Sequence, residues 1–220
     1  MIELPNFENS FQYENDFFLS CNPARIGKLL AHYELYKKIL ELPGSIVECG
    51  VFKGASFSRF AIFRELFENT YSRKIIGFDI FGKFPETNFE ADKKTRSKFI
   101  ESAGEDSISR EQLLKVLENK GIQKNVELVS GDIVKTVPLF VQEHPELKIS
   151  LLNLDTDIYE PAVTILENLW PKIIVGGILI LDDYGVFPGE TKAVDDFFGD
   201  HHVDILKLPF CMTPSYIIKK

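Results

Sequence analysis

Two long apolar runs that end at aspartates constrain the fold of this chain more than any other feature. The first spans residues 149–154 and reaches Asp155, and the second spans residues 178–181 and reaches Asp182 and Asp183. Such runs are typical of strands that are buried on both faces of a parallel sheet. Because open α/β sheets bind their ligands at the carboxyl edge, we expect these aspartates to lie at a functional site.

The type of side chain at these strand ends indicates a hard cation. Asp155, Asp182 and Asp183 offer several oxygen ligands, which suit Mg²⁺ much better than zinc. The second pair has a simpler alternative role, since aspartates after a strand can cap or begin a turn. If both bind one ion, the strand has to stop by Asp182, because adjacent strand residues point to opposite faces.

The composition excludes several classes of partner. The chain has 220 residues, 45% of them hydrophobic, which suits one domain spanning residues 1–220. Its formal net charge of −8 argues against nucleic acid and anionic membranes, which attract clustered lysines and arginines. No apolar stretch approaches the roughly 20 residues that span a bilayer. Residues 1–9 lack a signal core, and the cysteines lack metal-finger spacing, so we expect a cytoplasmic protein.

The order of the predicted elements is that of a Rossmann-like α/β fold, with helices on both faces of about seven mostly parallel strands. Strands are predicted at 46–49, 74–79, 126–130, 149–154, 178–181, 204–208 and 215–218, the last two forming an antiparallel edge. Helices are predicted at 55–67, 110–119, 137–142, 161–169 and 190–198. Residues 1–43 should form an N-terminal cover, irregular up to residue 22 and helical from Pro23. His32 lies among apolar positions of that helix and is assigned to packing.

Residues 80–107 form a polar connection that is long for a compact domain. We expect this segment to be a lid over the site. Phe81 and Phe84 within it are candidates to cover a ligand, because aromatic residues in polar connections often do so.

The turn after the first strand has features of a nucleotide-binding loop. Glu48 lies in the strand, and Gly50 and Gly54 lie in the turn, where a ligand can approach the backbone closely. The spacing is looser than G-x-G-x-x-G, so a purely structural turn is an equal alternative. Asp79 ends the second strand, where an acidic residue commonly holds ribose hydroxyls. Without the full glycine set, the pattern favours a nucleoside ligand that lacks phosphates.

Five sequence runs resemble the TylF-like macrocin O-methyltransferase family. They are N-P-A-R at 22–25, I-V-E-C-G-V-F-K-G at 46–54, F-D-I-F-G-K-F-P at 78–85, L-D-T-D-I-Y-E-P at 154–161 and V-G-G-I-L-I-L-D-D-Y-G at 175–185. The runs occur in the right order over about residues 22–200, and the last two together are specific. The resemblance implies a class I fold that binds S-adenosylmethionine and Mg²⁺. It also implies methylation of a hydroxyl, typically of a sugar in a natural product, a nucleotide sugar or a surface glycan.

The resemblance also implies roles for individual residues. Relatives carry the metal on residues that match Asp155, Asp182 and Asp183. Asp132 follows the third strand and is a candidate contact for the adenine, although relatives usually carry a bulky aromatic residue there. The full set of candidate cofactor-binding residues is Glu48, Gly50, Val51, Phe52, Gly54, Ser56, Asp79 and Asp132.

The implied chemistry agrees with the residues present. A sugar alcohol is a poor nucleophile, and a bound metal lowers its pKa and orients it toward the sulfonium methyl. We predict a catalytic pair in which Asp157 accepts the proton beside Asp155, because residues two apart in an extended strand share a face. Asp157 has two alternative roles: a cap of the helix that opens at Pro161, or a supporting contact behind the metal ligands.

Two other classes of protein are alternatives. The aspartates superficially resemble those of haloacid-dehalogenase phosphatases, but the nucleophile of such enzymes normally follows the first strand of the fold. A non-catalytic nucleotide- or glycan-binding module is the other alternative. For the methyltransferase we expect a sugar-containing small molecule as partner and a homo-oligomer, most simply a dimer.

Overall fold

The computed structural model describes residues 2–199 and 203–220, which form a seven-stranded sheet between two layers of helices. The strands are β1 Ser45–Cys49, β2 Ile75–Asp79, β3 Val126–Ser130, β4 Ile149–Leu154, β5 Ile173–Leu181, β6 Leu206–Lys207 and β7 Ser215–Ile218. Their order across the sheet is β3-β2-β1-β4-β5-β7-β6, and β7 runs antiparallel to both of its neighbours. The predicted mostly parallel sheet with an antiparallel edge is confirmed.

The part of the chain that the structure describes contains eight α-helices. They are α1 Ser10–Ser20, α2 Pro23–Lys37, α3 Ala55–Phe67, α4 Glu90–Ala103, α5 Arg110–Asn119, α6 Ile133–Glu143, α7 Tyr159–Leu169 and α8 Pro188–Phe198. Their starts follow local sequence: Asn22 caps α2 by accepting from Ala24 N at 2.9 Å, and Pro23 occupies the first turn. Among the described residues, no helix has the length and apolar character needed to cross a bilayer.

Each face of the sheet has its own hydrophobic cluster, because successive strand residues point to opposite faces. In β1, Ile46 packs with residues of α2, α3 and α5, whereas Val47 packs with residues of α6, α7 and α8. In β5, Ile178 and Leu179 divide between the faces in the same way. This double burial explains why the central strands are largely apolar and why the polar residues inside them, Glu48 in β1 and Ser150 and Asn153 in β4, are themselves buried.

Several predicted boundaries need correction. Residues 1–22 are not irregular throughout, because 10–20 form α1. None of its residues is buried, so it has no buried face that would give a periodic pattern. The helix predicted at 137–142 already begins at Ile133, where Asp132 caps it, and Pro138 is accommodated inside it. β5 begins at Ile173 rather than 178, since the chain passes through its two glycines with a register irregularity.

Residues 80–107 leave the sheet after β2 and return before α5, and the two ends of the segment are joined. Ser107 N donates to Gly82 O at 2.9 Å, and Phe84 N donates to Glu105 O at 2.9 Å. Between these ends lies α4, which packs against α8. The segment is therefore an ordered helical excursion, and its action as a lid stays a prediction.

Candidate functional site

The carboxyl ends of β4 and β5 bring three aspartates together. Leu154 pairs with Leu181 in the sheet, so the residues that follow the two strands emerge side by side. Single carboxylate oxygens of Asp155, Asp157 and Asp183 all lie within 4.8 Å of one another. β5 ends at Leu181, and the expected condition that the strand stops by Asp182 is met.

Asp157 reaches this cluster by a route that differs from the expected one. β4 ends at Leu154, and Asp157 has a φ of 64°, so the two catalytic candidates do not share a strand face. The Asp157 carbonyl accepts from Glu190 N at 3.2 Å, which joins this turn to α8. The alternative role as a cap is wrong, because α7 begins after Ile158 without a side-chain cap.

Burial and like charge raise the pKa of each carboxyl in the cluster. Burial raises the pKa of Asp157 to about 8. Burial and the nearby charge of Asp182 raise the pKa of Asp155 well above its usual range. For Asp183, burial and the charge of Asp157 also raise the pKa. Because a divalent cation would relieve this crowding of acids, and because all donors are hard oxygens, the residues fit Mg²⁺.

Asp182 contacts a different set of side chains, on helix α2. Lys28 donates a hydrogen bond to Asp182 Oδ2, and its Nζ also lies 4.0 Å from Asp155 Oδ2. Burial alone would raise the pKa of Asp182, but the charge of Lys28 holds it below its usual range. Asp182 Oδ1 is buried and lies 3.9 Å from His32 Nε2, which is beyond hydrogen-bond distance. The predicted metal ligands are thus not all together here. Asp155 and Asp183 lie in the cluster with Asp157, whereas Asp182 forms an ion pair with Lys28.

His32, which the sequence assigns to packing, lies fully buried beside this site. Its ring stacks on Phe60 with centroids 4.9 Å apart, so packing is part of its role. Arg59 lies 2.9 Å from His32 Nδ1 and can only donate, which places the imidazole proton on Nε2, toward Asp182. Burial lowers the pKa of His32 to about 4.

The turn after β1 meets the acidic turn after β4 through backbone contact. Gly50 has a φ of 92°, and a Cβ there would lie 1.6 Å from the carbonyl oxygen of Asp155. Gly54 has a φ of 79° and begins α3. Both glycines predicted from the sequence are therefore required by the backbone, and Gly50 fixes the spacing between the two turns.

Asp79 stands at the end of β2 and organises the first turn. Its carboxylate accepts from Val51 N at 2.8 Å, from Phe52 N at 2.9 Å and from Phe81 N at 2.6 Å. Burial raises its pKa although these hydrogen bonds oppose the shift. The structure therefore brings Asp79 together with Val51 and Phe52 as expected, and gives its carboxylate a role in holding the turn.

The remaining cofactor candidates lie around this turn in different ways. Glu48 is fully buried below it and accepts from the Ser56 hydroxyl. Burial raises the pKa of Glu48 to about 8, and its Oε2 has no hydrogen-bond partner. Asp132 is exposed and uses its side chain to cap α6 by accepting from Val134 N at 3.1 Å. A direct contact between a cofactor and any of these side chains stays a prediction.

Residues 80–107 are attached to this site by a buried carboxylate. Asp92 on α4 is fully buried and accepts from Tyr159 N at 2.9 Å and from Gly189 N at 2.7 Å. It thereby joins the first turns of α7 and α8, the helices that follow the acidic turns after β4 and β5. Phe84 packs on Phe99 with ring centroids 5.4 Å apart. Phe81 packs on the sheet face covered by α2, α3 and α5, so covering of a ligand by either ring stays a prediction.

Sequence reasoning missed three charged residues at this site: Lys28, Asp92 and Glu190. Glu190 is fully buried and accepts from Asp183 N at 2.9 Å through Oε1. Lys28 had a usable signal, because it lies four residues before His32 and so shares a helix face with it. Asp92 had none, since its partners are backbone amides far away in the sequence.

A sheet in this strand order, with a glycine turn after β1 and acidic turns after β4 and β5, has the fold of class I methyltransferases. Residues 28–207 match the macrocin-O-methyltransferase (TylF) family. The chain belongs to this family, which confirms the resemblance drawn from its sequence runs.

Two curated relatives illustrate the family. The 8-demethyl-8-(2,3-dimethoxy-alpha-L-rhamnosyl)-tetracenomycin-C 4'-O-methyltransferase of Streptomyces olivaceus is 30% identical over 166 residues, which cover 74% of this chain and 60% of the relative. The demethyldecarbamoylnovobiocin O-methyltransferase of Streptomyces niveus is 29% identical over 161 residues, covering 71% of this chain and 58% of the relative. The matched region thus spans about three fifths of each relative's length.

Among solved structures, the calicheamicin methyltransferase CalS11 is similar over most of its length. It matches with a TM-score of 0.80 at 30% identity, covering 93% of this chain and 83% of CalS11. The apo structure of CalS11, a TDP-rhamnose 3'-O-methyltransferase, matches with a TM-score of 0.69 at 28% identity, covering 95% and 86% of the two chains.

Proposed function

We propose that this protein transfers a methyl group from S-adenosylmethionine to a hydroxyl of a sugar-containing small molecule, with Mg²⁺ bound at the acidic turns. The observation that carries the proposal is the convergence of Asp155, Asp157 and Asp183 beside the glycine turn, in a member of this family. The names of two relatives support a sugar acceptor, since one acts on a rhamnosyl tetracenomycin and another on TDP-rhamnose.

Asp155, Asp182 and Asp183 would hold the ion. When bound, the ion supplies Lewis-acid chemistry, which lowers the pKa of an acceptor hydroxyl. The partnerless Oδ1 of Asp182 and the crowded carboxylates of Asp155 and Asp183 support this set. Asp182 has to leave Lys28 to join it, and that step is developed in the next subsection.

Asp157 is the proposed proton acceptor. It is buried, and one of its carboxylate oxygens lies within 4.8 Å of oxygens of Asp155 and Asp183. Its pKa of about 8 in the absence of a cation lies near neutral pH, which suits a group that accepts a proton and later releases it. A neighbouring cation would lower this pKa and favour the carboxylate form.

The donor site is proposed at the turn that follows β1. Gly50 and Gly54 leave the backbone open to close approach, and Asp79 holds the amides of Val51 and Phe52 in place. Asp79 is also the proposed contact for the ribose hydroxyls. Glu48 and Ser56 would support the turn from below, and Asp132 would contact the adenine.

The test is an assay for S-adenosylhomocysteine and methylated product by mass spectrometry. The acceptor panel should contain TDP-rhamnose, other nucleotide sugars and rhamnosylated aromatic compounds, each with Mg²⁺ and with EDTA. We expect product with at least one acceptor and its loss with EDTA. Asp157→Asn should lower kcat by about 100-fold or more. Asp196→Asn, a change on the exposed side of α8, should leave kcat unchanged.

Two outcomes would contradict the proposal. Rapid phosphate release from simple phosphate esters, with no methyl transfer, would indicate the phosphatase alternative, which the family match disfavours. Calorimetric binding of S-adenosylmethionine without transfer to any acceptor would indicate a binding module. The homodimer and the cytoplasmic location stay predictions, and sedimentation equilibrium tests the first.

A further inference from the structure

We propose that Lys28 is an internal counter-ion of the metal site, which occupies Asp182 while the divalent ion is absent and releases it when the ion binds. The inference rests on the proposed Mg²⁺ site. It assigns to helix α2, in the N-terminal cover, a direct influence on metal affinity.

The contacts of Lys28 place its ammonium against two of the proposed ligands. It forms an ion pair with Asp182 and lies 4.0 Å from Asp155 Oδ2. The Lys28 side chain is 24% exposed and that of Asp182 only 3%. The lysine therefore reaches a buried carboxylate from a partly open position, and its flexible stem allows the ammonium to move back toward solvent.

The charge balance of this region explains why a counter-ion is needed. The acidic groups that act on one another here are Asp155, Asp157, Asp182, Asp183, Glu48 and Glu190. Among the lysines and arginines within residues 2–199 and 203–220, it is Lys28 that forms ion pairs with these aspartates. Arg59 instead contacts His32, whose deep burial favours the neutral form.

A divalent ion and the ammonium of Lys28 would compete for the same oxygens. Like charges a few ångströms apart repel each other strongly where water is largely excluded. Binding of the ion to Asp155 and Asp182 therefore requires Lys28 to withdraw. It follows that Lys28 stabilises the metal-free protein and weakens metal binding by making it a displacement.

The experiment measures Mn²⁺ affinity, using the electron paramagnetic resonance signal of the free ion. Lys28→Met should bind Mn²⁺ about tenfold more tightly than the wild type, because no ammonium has to be displaced. Lys28→Arg keeps the charge and should stay within about threefold of the wild type. Lys37→Met is the matched control, since Lys37 lies on the same helix and pairs with exposed Glu34; its affinity should not change.

Thermal unfolding gives a second readout that does not depend on activity. The metal-free Lys28→Met variant should unfold at a lower temperature than the wild type, and Mn²⁺ should raise its Tm by a larger amount. Lys28→Gln provides a second neutral side chain, which keeps a hydrogen-bond donor for Asp182, should the methionine variant fail to fold. We expect Lys28→Gln, like Lys28→Met, to bind Mn²⁺ more tightly than the wild type.

Unchanged or weaker Mn²⁺ binding by the neutral variants would overturn the counter-ion role. If the wild type also methylates its acceptor in a metal-dependent way, the proposed function would stand and only this inference would fail. Absence of Mn²⁺ binding in the wild type and in every variant would overturn both the inference and the Mg²⁺ part of the proposed function.

Discussion

Gly50 shows how a single residue joins the two halves of the site. Its φ of 92° and its contact with the Asp155 carbonyl leave no room for a side chain. Gly121 is a useful comparison, because its φ of 70° is also left-handed but nothing lies within 4 Å of a Cβ built there. A side chain at Gly50 would meet both backbone strain and a steric clash, whereas one at Gly121 would meet backbone strain alone.

We expect Gly50→Ala to lower the free energy of unfolding by about 3 kcal/mol or more, since backbone strain and a steric clash add. Gly121→Ala carries the strain alone and should lower it by about 1 kcal/mol. Urea denaturation of both variants measures the difference. Equal losses would mean that the turn relaxes freely and that the contact with Asp155 does not constrain it.

Glu48 predicts a pH dependence of stability in the metal-free protein. Its pKa in the folded state is about 8, raised by burial from an ordinary value of 4.5. The stability that it contributes is therefore complete below pH 4.5 and is lost as the pH rises through about 8. Each pH unit within this window changes the free energy of unfolding by at most about 1.4 kcal/mol.

The isosteric variant Glu48→Gln tests this dependence. It mimics the protonated carboxyl and should match the wild type within about 1 kcal/mol at acidic pH, then exceed it increasingly toward pH 9. Urea denaturation in EDTA across this range supplies the measurement. Parallel pH profiles for the two proteins would show that Glu48 is ionised in the folded state without cost.

At the residue scale, sequence and structure agree where a rule of the sheet applies and diverge where distant elements meet. Asp155 and Asp183 could be found because strand ends of a parallel sheet share one edge. The contact between Lys28 and Asp182 joins residues 154 positions apart, and such contacts depend on how α2 packs across the sheet. The turn at Asp157 was mispredicted, since β4 ends at Leu154 and the left-handed backbone of Asp157 breaks the extended geometry in which it would share a face with Asp155.

At the scale of elements, α4 attaches residues 80–107 to the body of the protein. Asp92 places one carboxylate between the amides of Tyr159 and Gly189, near the positive ends of α7 and α8. Thr87 and Asn88 add hydrogen bonds to Glu160 on α7. Besides these hydrogen bonds, the ring of Phe89 stacks on that of Tyr159 with centroids 4.9 Å apart, so polar and apolar contacts together attach the segment.

We expect Asp92→Ala to loosen the lid segment, because two buried amides lose their acceptor at a cost of about 1–3 kcal/mol each. Proteolysis within residues 80–107 should become faster, and KM for the acceptor should rise more than kcat falls. Glu90→Gln is the matched control, since Glu90 lies on the exposed side of the same helix and pairs with Lys93. Equal protease resistance of the two variants would show that the hydrogen bonds of Asp92 do not hold the segment in place.

Among the elements, helices with one buried face were predicted well and helices without one were missed. α3 and α5 match their predicted bounds, because apolar residues line one side of each; α3 follows the left-handed Gly54, and a capping box at Ser109 starts α5. α1 buries no residue, so the hydrophobic pattern could not indicate it. In α4, the buried position belongs to a charged residue, Asp92, which a hydrophobic pattern cannot reveal.

At the scale of the whole molecule, the acidic site should couple metal binding to stability. An ion that binds the folded protein at 100 times its Kd adds about 2.7 kcal/mol to the free energy of unfolding. Asp155→Asn should abolish most of this gain. The same change should stabilise the metal-free protein, because it removes a charge that burial and Asp182 disfavour.

Urea denaturation with EDTA and with saturating Mg²⁺ measures both effects. Asp196→Asn, on the exposed side of α8, should behave as the wild type in both conditions. A metal-free Asp155→Asn protein that is less stable than the wild type would show that this carboxylate supports the fold rather than strains it.

Several α/β topologies are compatible with the predicted strands, and the family resemblance selects among them. The alternating elements predict a parallel sheet, but pairing of β4 with β1 and return of β7 beside β5 depend on packing over long sequence distances. The antiparallel edge was predictable because its two strands are short and adjacent in the chain.

The backbone contact between Gly50 and Asp155 also bears on how such proteins change their substrates. The turn after β1 and the acidic turn after β4 follow neighbouring strands and contact each other at a fixed spacing. Residues 80–107, in contrast, leave and rejoin the body of the protein at two ends that are hydrogen-bonded to each other. Exchanging that excursion between homologues should create chimeras that accept a new sugar scaffold while the reaction centre keeps its alignment.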